Sequence, residues 1–516
     1  MKNKIKNLIN DNKNILGILC LFIIIQPFID ILPLFEDERY QIFGFTIPTL
    51  VRCLFIGIIT LQSIGKIEKK RYKYLAIYFC LLTVYFIIHN HVAGYNSGLV
   101  LPDNYVYSIS SELFYIIRML LPISIIYFTS KSGISYKKFI NTLLISSAII
   151  GTIIFIGNTF CISYVSYGTG YTKVNWLHWF IGDISKYNFD ELTSKGWFYM
   201  ANQVSGIMIL LLPFNLYELI MNKTKLSIYS STILIISMIM LGTRTAAYGW
   251  LIILFLTVLG YLLLLRIYKT ERLQNKELAP ILIIGLMGII FLWISPISQR
   301  SYGYALGDVD SIEARPEIND NVEEKEKVYK YITDNYSTYG IQKVYIYKIY
   351  NYKFDAKFWY DIFDYSKKNG VIENREMQTK ISMRITEIND NQLKYKLFGY
   401  SFSRMRNAGL YMEHDFLVQY FTMGIIGLIL LVGPYISIIL LMVYKIFKNV
   451  KRKITFIDYI FMLSVGITLF ASLLTGHILD ELFVTIYIGF ICGYFYEKVM
   501  RKVINKGADK YEENKG

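Results

Sequence analysis

Two short stretches of the 516-residue sequence carry side chains that apolar surroundings tolerate poorly. The first is Leu-Gly-Thr-Arg-Thr-Ala-Ala, residues 241–247, where almost nothing joins two apolar runs and Arg244 stands at the turn. Hydrocarbon satisfies none of the five guanidinium donors, so Arg244 must snorkel to an interface, pair with a carboxylate, or face an anion. A tight Gly-Thr-Arg-Thr turn suits an anion cradle; a snorkelling anchor fits the same residues. The second stretch is Tyr-Met-Glu-His-Asp-Phe-Leu, residues 411–417, continuing to Gly424 and Gly427. Here His414 opens an apolar run between Glu413 and Asp415, which can orient the ring or raise its pKa. An interfacial histidine is commonly structural, but a ring that takes a proton near neutral pH suits a general base acting on a hydroxyl. Further candidates are Arg300 after Ser295-Pro296, Arg384 within an amphipathic stretch, Arg404 and Arg406 shortly before His414, and His477 in Thr475-Gly476-His477 as an alternative base. Each also reads as an ordinary solvated charge.

These residues sit in a chain that is 54% hydrophobic and 18% charged, against roughly 45–50% and 25% in soluble domains. Mean hydropathy is +0.38 despite a polar stretch near 298–413, so the apolar residues concentrate elsewhere. They form runs of about 20, enough to cross a bilayer core of about 30 Å. A soluble enzyme, a secreted disulfide scaffold and a disordered protein are excluded. The five cysteines form no framework, and no disulfide is expected. The first apolar run is too long for a signal peptide and lacks a small-residue cleavage site, so it reads as a retained span.

The sequence predicts an all-α polytopic membrane protein with about twelve spans, near 15–35, 41–62, 74–92, 111–129, 139–158, 198–219, 226–241, 246–265, 279–297, 416–443, 454–474 and 482–496. Alternate connecting segments hold 29 Lys and Arg, and the opposite short loops hold five. By the positive-inside rule both termini are cytoplasmic. This placement accounts for the net charge of +15 without nucleic acid. The expected division is 1–297 (nine spans), 298–415 (a large, partly helical external loop between the ninth and tenth spans) and 416–516 (three spans and a basic tail). The loop's 18 basic and 17 acidic residues (298–413) nearly cancel, as in a solvated module. Phe354 to Lys368 and Arg375 to Gln392 read as helices, the second with Met377, Ile381, Ile385 and Ile388 on one apolar face. That face is expected to lie on the membrane or pack against the bundle, and residues 303–350 to be mobile. Tyr164, Tyr167, Tyr171, Trp176, Trp179 and Trp197 crowd one external loop, as interfacial anchors or as rings that stack on sugars. The topology sets Arg244, Arg300, Arg384 and His414 on one side of the membrane. Several planar guanidinium forks aimed at one site are what a diphosphate leaving group needs.

Taken in order, these pieces resemble the O-antigen ligase and O-antigen polymerase (Wzy-type) superfamily of bacterial surface-polysaccharide proteins. The matching residues are Gly196-Trp197-Phe198 to Asn202, Gly242-Thr243-Arg244, Ser295-Pro296 to Arg300, Ile381-Ser382-Met383-Arg384, Phe398-Gly399-Tyr400, and Glu413-His414-Asp415-Phe416-Leu417 with Gly424 to Gly427. They span about 196–430; the first five spans match in character only. The resemblance implies a GT-C-like helical bundle in the bacterial cytoplasmic membrane, using an undecaprenyl-diphosphate-linked glycan as donor. It further implies Arg244 and Arg384 on the diphosphate, His414 as base, and no metal or cofactor. The acceptor would be a lipid-linked repeat, a lipid core or a wall polymer. His414-Asp415 departs from the family's frequent His-Asn, and the added carboxylate favours the protonated ring. No Walker-type loop or dinucleotide glycine fingerprint is present, in keeping with nucleotide-free external chemistry. Two competing readings remain. One is a polyprenyl-phosphate-sugar glycosyltransferase with a metal at Glu36, Asp37 and Glu38. The other is a lipid-linked oligosaccharide flippase or transporter, for which Arg52 and Arg118 inside spans, with Asp30 and His89, are the strongest signs.

Overall fold

The computed structural model describes residues 12–36, 41–42, 45–63, 69–268, 278–299, 306–309, 312, 314–318, 321–448 and 454–513. Each apolar run folds as a helix, the form that satisfies every backbone N–H and C=O within the segment. The helices are α1 (Asn12–Ile29), α2 (Ile47–Ser63), α3 (Lys69–Ala93), α4 (Ile109–Lys131), α5 (Tyr136–Thr159), α6 (Ala201–Met221), α7 (Lys225–Met240), α8 (Arg244–Tyr268) and α9 (Ala279–Ile294). After the polar stretch come α15 (Asp415–Lys448), α16 (Phe456–Leu474) and α17 (Leu482–Glu513). The stretch between holds α10 (Val322–Asn335), α11 (Ala356–Asn369), α12 (Asn374–Ile388), α13 (Leu393–Phe398) and α14 (Phe402–Ala408). The described strands are a two-residue antiparallel pair, Gln41–Ile42 against Phe45–Thr46. Among the described residues, seven helices are long and apolar enough to cross a membrane: α3, α4, α5, α6, α8, α15 and α16. Parts of α1, α2, α7 and α9 are apolar but shorter.

The chain divides into two compact units, with boundaries inside α3, α4 and α15: residues 1–81, 117–300 and 430–516, and residues 82–116 with 301–429. In the first unit α6 is apolar on every side and buried along almost its whole length. Such a helix belongs at the centre of a bundle. It packs against α5, α7, α8, α16 and α17.

The second unit has its own core, built from Trp359, Phe363, Ile332, Ile346, Tyr350, Met377, Ile381 and Ile385 among others. One sequence expectation is corrected and one of two alternatives is chosen. Residues 321–350 are not a mobile lead-in: α10 buries Val328 and Ile332, and a short π-helix (Tyr345–Ile349) buries Tyr345, Ile346 and Ile349. The apolar face of α12 (Met377, Ile381, Ile385) is buried in this core rather than left to a membrane surface, and Ile388 packs beside it. The tyrosines make the difference. They read as polar in sequence, yet Tyr345, Tyr350, Tyr360 and Tyr395 are almost fully buried with their rings in the core. Each hydroxyl reaches a partner, for example Tyr360 Oη donating to the Pro316 carbonyl at 3.0 Å.

Candidate functional site

In the first unit, Arg244 is exposed as the first residue of α8, and its turn is held from three directions. Ser194 N–H donates to the Met240 carbonyl (3.0 Å), and Ser166 Oγ donates to that of Leu241 (2.6 Å). Thr243 Oγ1 accepts from Ala246 N–H (3.2 Å), capping α8, and lies 2.6 Å from Ser205 Oγ on α6. Ser205 Oγ donates onward to the Ala201 carbonyl (2.9 Å), so the Thr243 hydroxyl is the donor to Ser205. One N–H that an anion cradle would offer, that of Ala246, is therefore taken by the cap. What the turn presents is the Arg244 side chain on a fixed base.

A buried polar network lies in the same unit. Arg52 donates to Asp30 and, at 2.8 Å, to Gln26 Oε1; Gln203 Nε2 donates to Asp30 Oδ1 at 3.3 Å. Arg118 donates to the Asp480 carbonyl and, at 3.0 Å, to Glu481 Oε2. Of the charged residues that suggested a transport path, Arg52 is thus paired with Asp30 and Arg118 with Glu481, the arrangement that makes charge tolerable between helices. His477 Nδ1 lies 3.3 Å from Asp480 Oδ2. A carboxylate on Nδ1 favours the tautomer with its lone pair on Nε2, the orientation a general base needs. Burial raises the Glu481 carboxyl above its usual range. At Asp480 burial pushes the same way, but the adjacent His477 imidazole outweighs it and holds the carboxyl below its usual value. His477, Asp480 and Glu481 offer ligand atoms within 4.8 Å of one another, so they can also hold a cation. The acidic run proposed as a metal site, Glu36 to Glu38, falls largely outside the described residues, as does Arg300.

In the second unit, α12 carries Arg384 and also fastens the segment leading to His414. Arg375 Nε donates to Glu413 Oε2 (2.9 Å), Glu413 N–H donates to Gln378 Oε1 (3.0 Å), and Ser382 Oγ donates to Met412 Sδ (3.0 Å). Glu413 is thus committed to Arg375. Asp415 is fully buried as the first residue of α15, with His414 half-buried just before it. Arg384 makes a fork onto Asp355, Nε to Oδ2 at 2.7 Å and Nη2 to Oδ1 at 3.3 Å, with Nη1 3.2 Å from Glu387. The Asp355 hydrogen bond raises the guanidinium's pKa. Two of its N–H protons, one on each terminal nitrogen, are not needed for these contacts, so an anion can bind beside Asp355. Arg404 has a different occupation: it donates to the carbonyls of Ala93 (3.2 Å), Gly94 (2.8 Å) and Tyr105 (2.9 Å). Burial lowers its pKa. Arg406 is half-buried on α14.

Sequence reasoning missed the joint that fixes the first turns of α15. Gly424 (φ 70°, ψ 179°) breaks the helix, and Gly399 (φ 83°, ψ 177°) lies against it. A break leaves carbonyls without their i+4 donors. Those of Phe421 and Thr422 accept from Tyr400 N–H (2.9 Å) and Ser401 N–H (3.0 Å), and that of Met423 accepts from Tyr85 Oη (2.5 Å). Glu112 anchors the same loop, accepting from Ser403 N–H (2.7 Å) and Ser401 Oγ, and contacts His89 Nε2 at 3.1 Å. The other ring nitrogen of His89 faces the Phe398 carbonyl at 2.5 Å. The ring thus bridges Glu112 and the backbone of the Phe398 turn. The aromatic loop of the first unit braces itself: Trp176 Nε1 donates to Thr159 Oγ1 (3.0 Å), Trp197 Nε1 to the Ile162 carbonyl (3.0 Å), and Tyr164 stacks on Tyr171. Trp179 is buried, while Tyr167 and Tyr171 are exposed. All five cysteines are free.

The long apolar helices and the polar residues between them define a multi-pass membrane protein. Residues 12–501 match the family of O-antigen ligase like membrane proteins, nearly the whole chain, and the protein belongs to that family. No curated protein matches it. Membership points to a membrane enzyme of polysaccharide assembly that handles lipid-linked glycans.

Proposed function

We propose that the protein is a glycosyltransferase that joins repeat units from an undecaprenyl-diphosphate-linked donor to an acceptor sugar hydroxyl at the outer face of the bacterial cytoplasmic membrane. Twelve spans, both termini in the cytoplasm and an external module at 298–415 complete this reading. His414 takes the acceptor's hydroxyl proton, and the oxygen attacks the anomeric carbon as its bond to phosphate breaks, inverting that centre. The electron pair leaves on the diphosphate, which Arg244 and Arg384 hold, and which departs without a proton from an acid. The chemistry is driven by the glycosyl–phosphate bond and uses neither nucleotide nor metal. Polymerisation is favoured over ligation, because a lipid-core ligase requires an outer membrane whereas every such pathway must polymerise.

The observation carrying this reading is the family match over residues 12–501. The local geometry agrees with it: a rigid turn presents Arg244, and one helix both carries Arg384 and straps down the approach to His414. The test is reconstitution in liposomes with a lipid-linked repeat unit and no ion gradient. Longer lipid-linked glycans are expected in the presence of a chelator, and their absence would reject the proposal.

The cluster of His477, Asp480 and Glu481 favours a second, metal-dependent reading. Against it, Arg118 puts a positive charge 3.0 Å from Glu481, where a cation would have to bind. Activity lost to chelator and restored by magnesium or manganese would select this reading, and His477 would then replace His414 as the focus.

A further inference from the structure

The π-helix Tyr345–Ile349 turns Ile346 and Ile349 into the core of the second unit and leaves Tyr347 and Lys348 outside. Such π segments are rare and frequent at functional sites. Across from it, within the same unit, run residues 102–104, tied down by Asn104 Nδ2 donating to the Lys348 carbonyl at 2.7 Å. Between them lies a groove of about 430 Å³ lined by Asp103, Asn104, Tyr347, Lys348, Asn351 and Phe354 together with neighbouring residues. Its volume falls in the range of small-ligand sites, about 300–1,000 Å³.

The lining selects among ligands. Tyr347 is 40% exposed, its ring is fixed by near-perpendicular contacts with Tyr336 (6.0 Å) and Tyr352 (5.5 Å), and the exposed Lys343 ammonium lies 5.6 Å from its centroid. Around it stand one exposed carboxylate (Asp103), two exposed ammoniums (Lys348 and Lys353) and two amides. A purely apolar ligand would strip water from these groups and return no hydrogen bonds. A polyanion would gain the two lysines but meet the Asp103 carboxylate in the same groove. A pyranose supplies both halves at once: a C–H-rich face for the ring, and hydroxyls that each donate and accept for the amides and charges.

We infer that this groove binds a short segment of a sugar chain, one stacked on Tyr347 and hydrogen-bonded to Asp103, Asn104, Lys348 and Asn351. The inference rests on the glycan-transfer reading for its biological meaning but not for its chemistry. The groove's wall also ends beside the site: Phe354 precedes Asp355, the residue that holds Arg384. A bound sugar chain would therefore lie against the residue next to the one that holds that guanidinium.

The test uses full-length protein in detergent micelles and repeat-unit oligosaccharides released by mild acid from the host's own surface polysaccharide, with binding read by saturation-transfer NMR titration. Saturable binding is expected for the parent. Tyr347→Ala should weaken it roughly tenfold, the scale of one lost aromatic contact, while Tyr347→Trp retains it. Asp103→Ala, at an exposed position, should weaken it several-fold with an unchanged thermal midpoint, which separates loss of binding from loss of fold. The inference is overturned if the parent shows no saturable binding, if Tyr347→Ala and Asp103→Ala both bind like the parent, or if the parent binds only anionic lipid vesicles. If His414→Ala still transferred glycan while Tyr347→Ala lost binding, the base assignment would fall and the groove would stand. The converse pattern would remove the groove and keep the base.

Discussion

Adding one methyl group at the broken helix should cost the protein most of the stability of its second unit. A Cβ built on Gly424 would lie 2.3 Å from the Leu397 carbonyl oxygen, and one on Gly399 would lie 2.2 Å from that of Thr422. Both obstacles are backbone, so neither can rotate away. Both glycines also occupy a φ/ψ region that is essentially closed to other residues, with a penalty of about 1–3 kcal/mol. Forcing the segments apart would break the bonds from Tyr400 N–H to Phe421 and from Ser401 N–H to Thr422, each worth about 1–3 kcal/mol once its groups are left buried and unpaired. Together the penalty for Gly424→Ala is roughly 5 kcal/mol, comparable with the entire stability of an ordinary domain, about 5–15 kcal/mol. The assay is thermal unfolding of the purified protein in detergent, with limited proteolysis mapping cleavage to residues 321–429. Gly424→Ala and Gly399→Ala should each be cleaved there far faster than the parent. Gly170→Ala, where a Cβ meets nothing within 4 Å, should behave as the parent does. A Gly424→Ala protein with the parent's thermal midpoint and cleavage rate would show that the two backbones do not meet as described.

The remaining predictions concern the charged residues. Arg118→Met should destabilise the first unit by about 3–5 kcal/mol, because it strands the buried Glu481 carboxylate. Adding Glu481→Met should restore much of the loss, as thermal unfolding would register; equal midpoints for the single and double variants would contradict the pairing. Burial raises the Glu481 pKa, so this group's stabilising contribution is full below its unfolded value of about 4.3 and is lost as pH rises through the higher folded value. Glu481→Gln should therefore decline less than the parent from about pH 4 upward, and parallel stability–pH curves would refute the assignment. Arg384→Lys keeps the charge but cannot span both Asp355 oxygens. It should raise the donor KM by about tenfold, a change of roughly 1.4 kcal/mol, with a smaller effect on kcat. An unchanged donor KM would move the second phosphate contact to another arginine.

Much of the frame was legible because the physics acting on it is local. A run of about 20 apolar residues must become a helix wherever water is absent, and the segments around α1 to α9 and α15 to α17 all do. The helix read from Phe354 begins instead at Ala356, because the Asp355 side chain caps it by accepting from Phe358 N–H at 3.0 Å. What no local pattern revealed was partnership across distance. Arg384 finds Asp355 29 residues away, Gly399 finds Gly424, and Arg52 finds Asp30 through the packing of two helices. Arg404 looked like a candidate phosphate ligand by type, yet its donors serve the carbonyls at the end of α3 and that of Tyr105. The expectation of mobility over 303–350 failed for residues 321–350 because a tyrosine-rich segment scores as polar while its rings pack like phenylalanine.

The most direct test is glycan transfer by reconstituted protein carrying single changes at the three proposed residues. Liposomes would hold an undecaprenyl-diphosphate-linked repeat unit, and product length would be followed in parallel with donor binding. His414→Ala should form no longer glycan while still binding donor, and Arg244→Lys should insert normally but transfer far more slowly, its fork lost. His477→Ala, the competing base, should keep its turnover. Full transfer by His414→Ala, or loss of transfer confined to His477→Ala, would contradict the account.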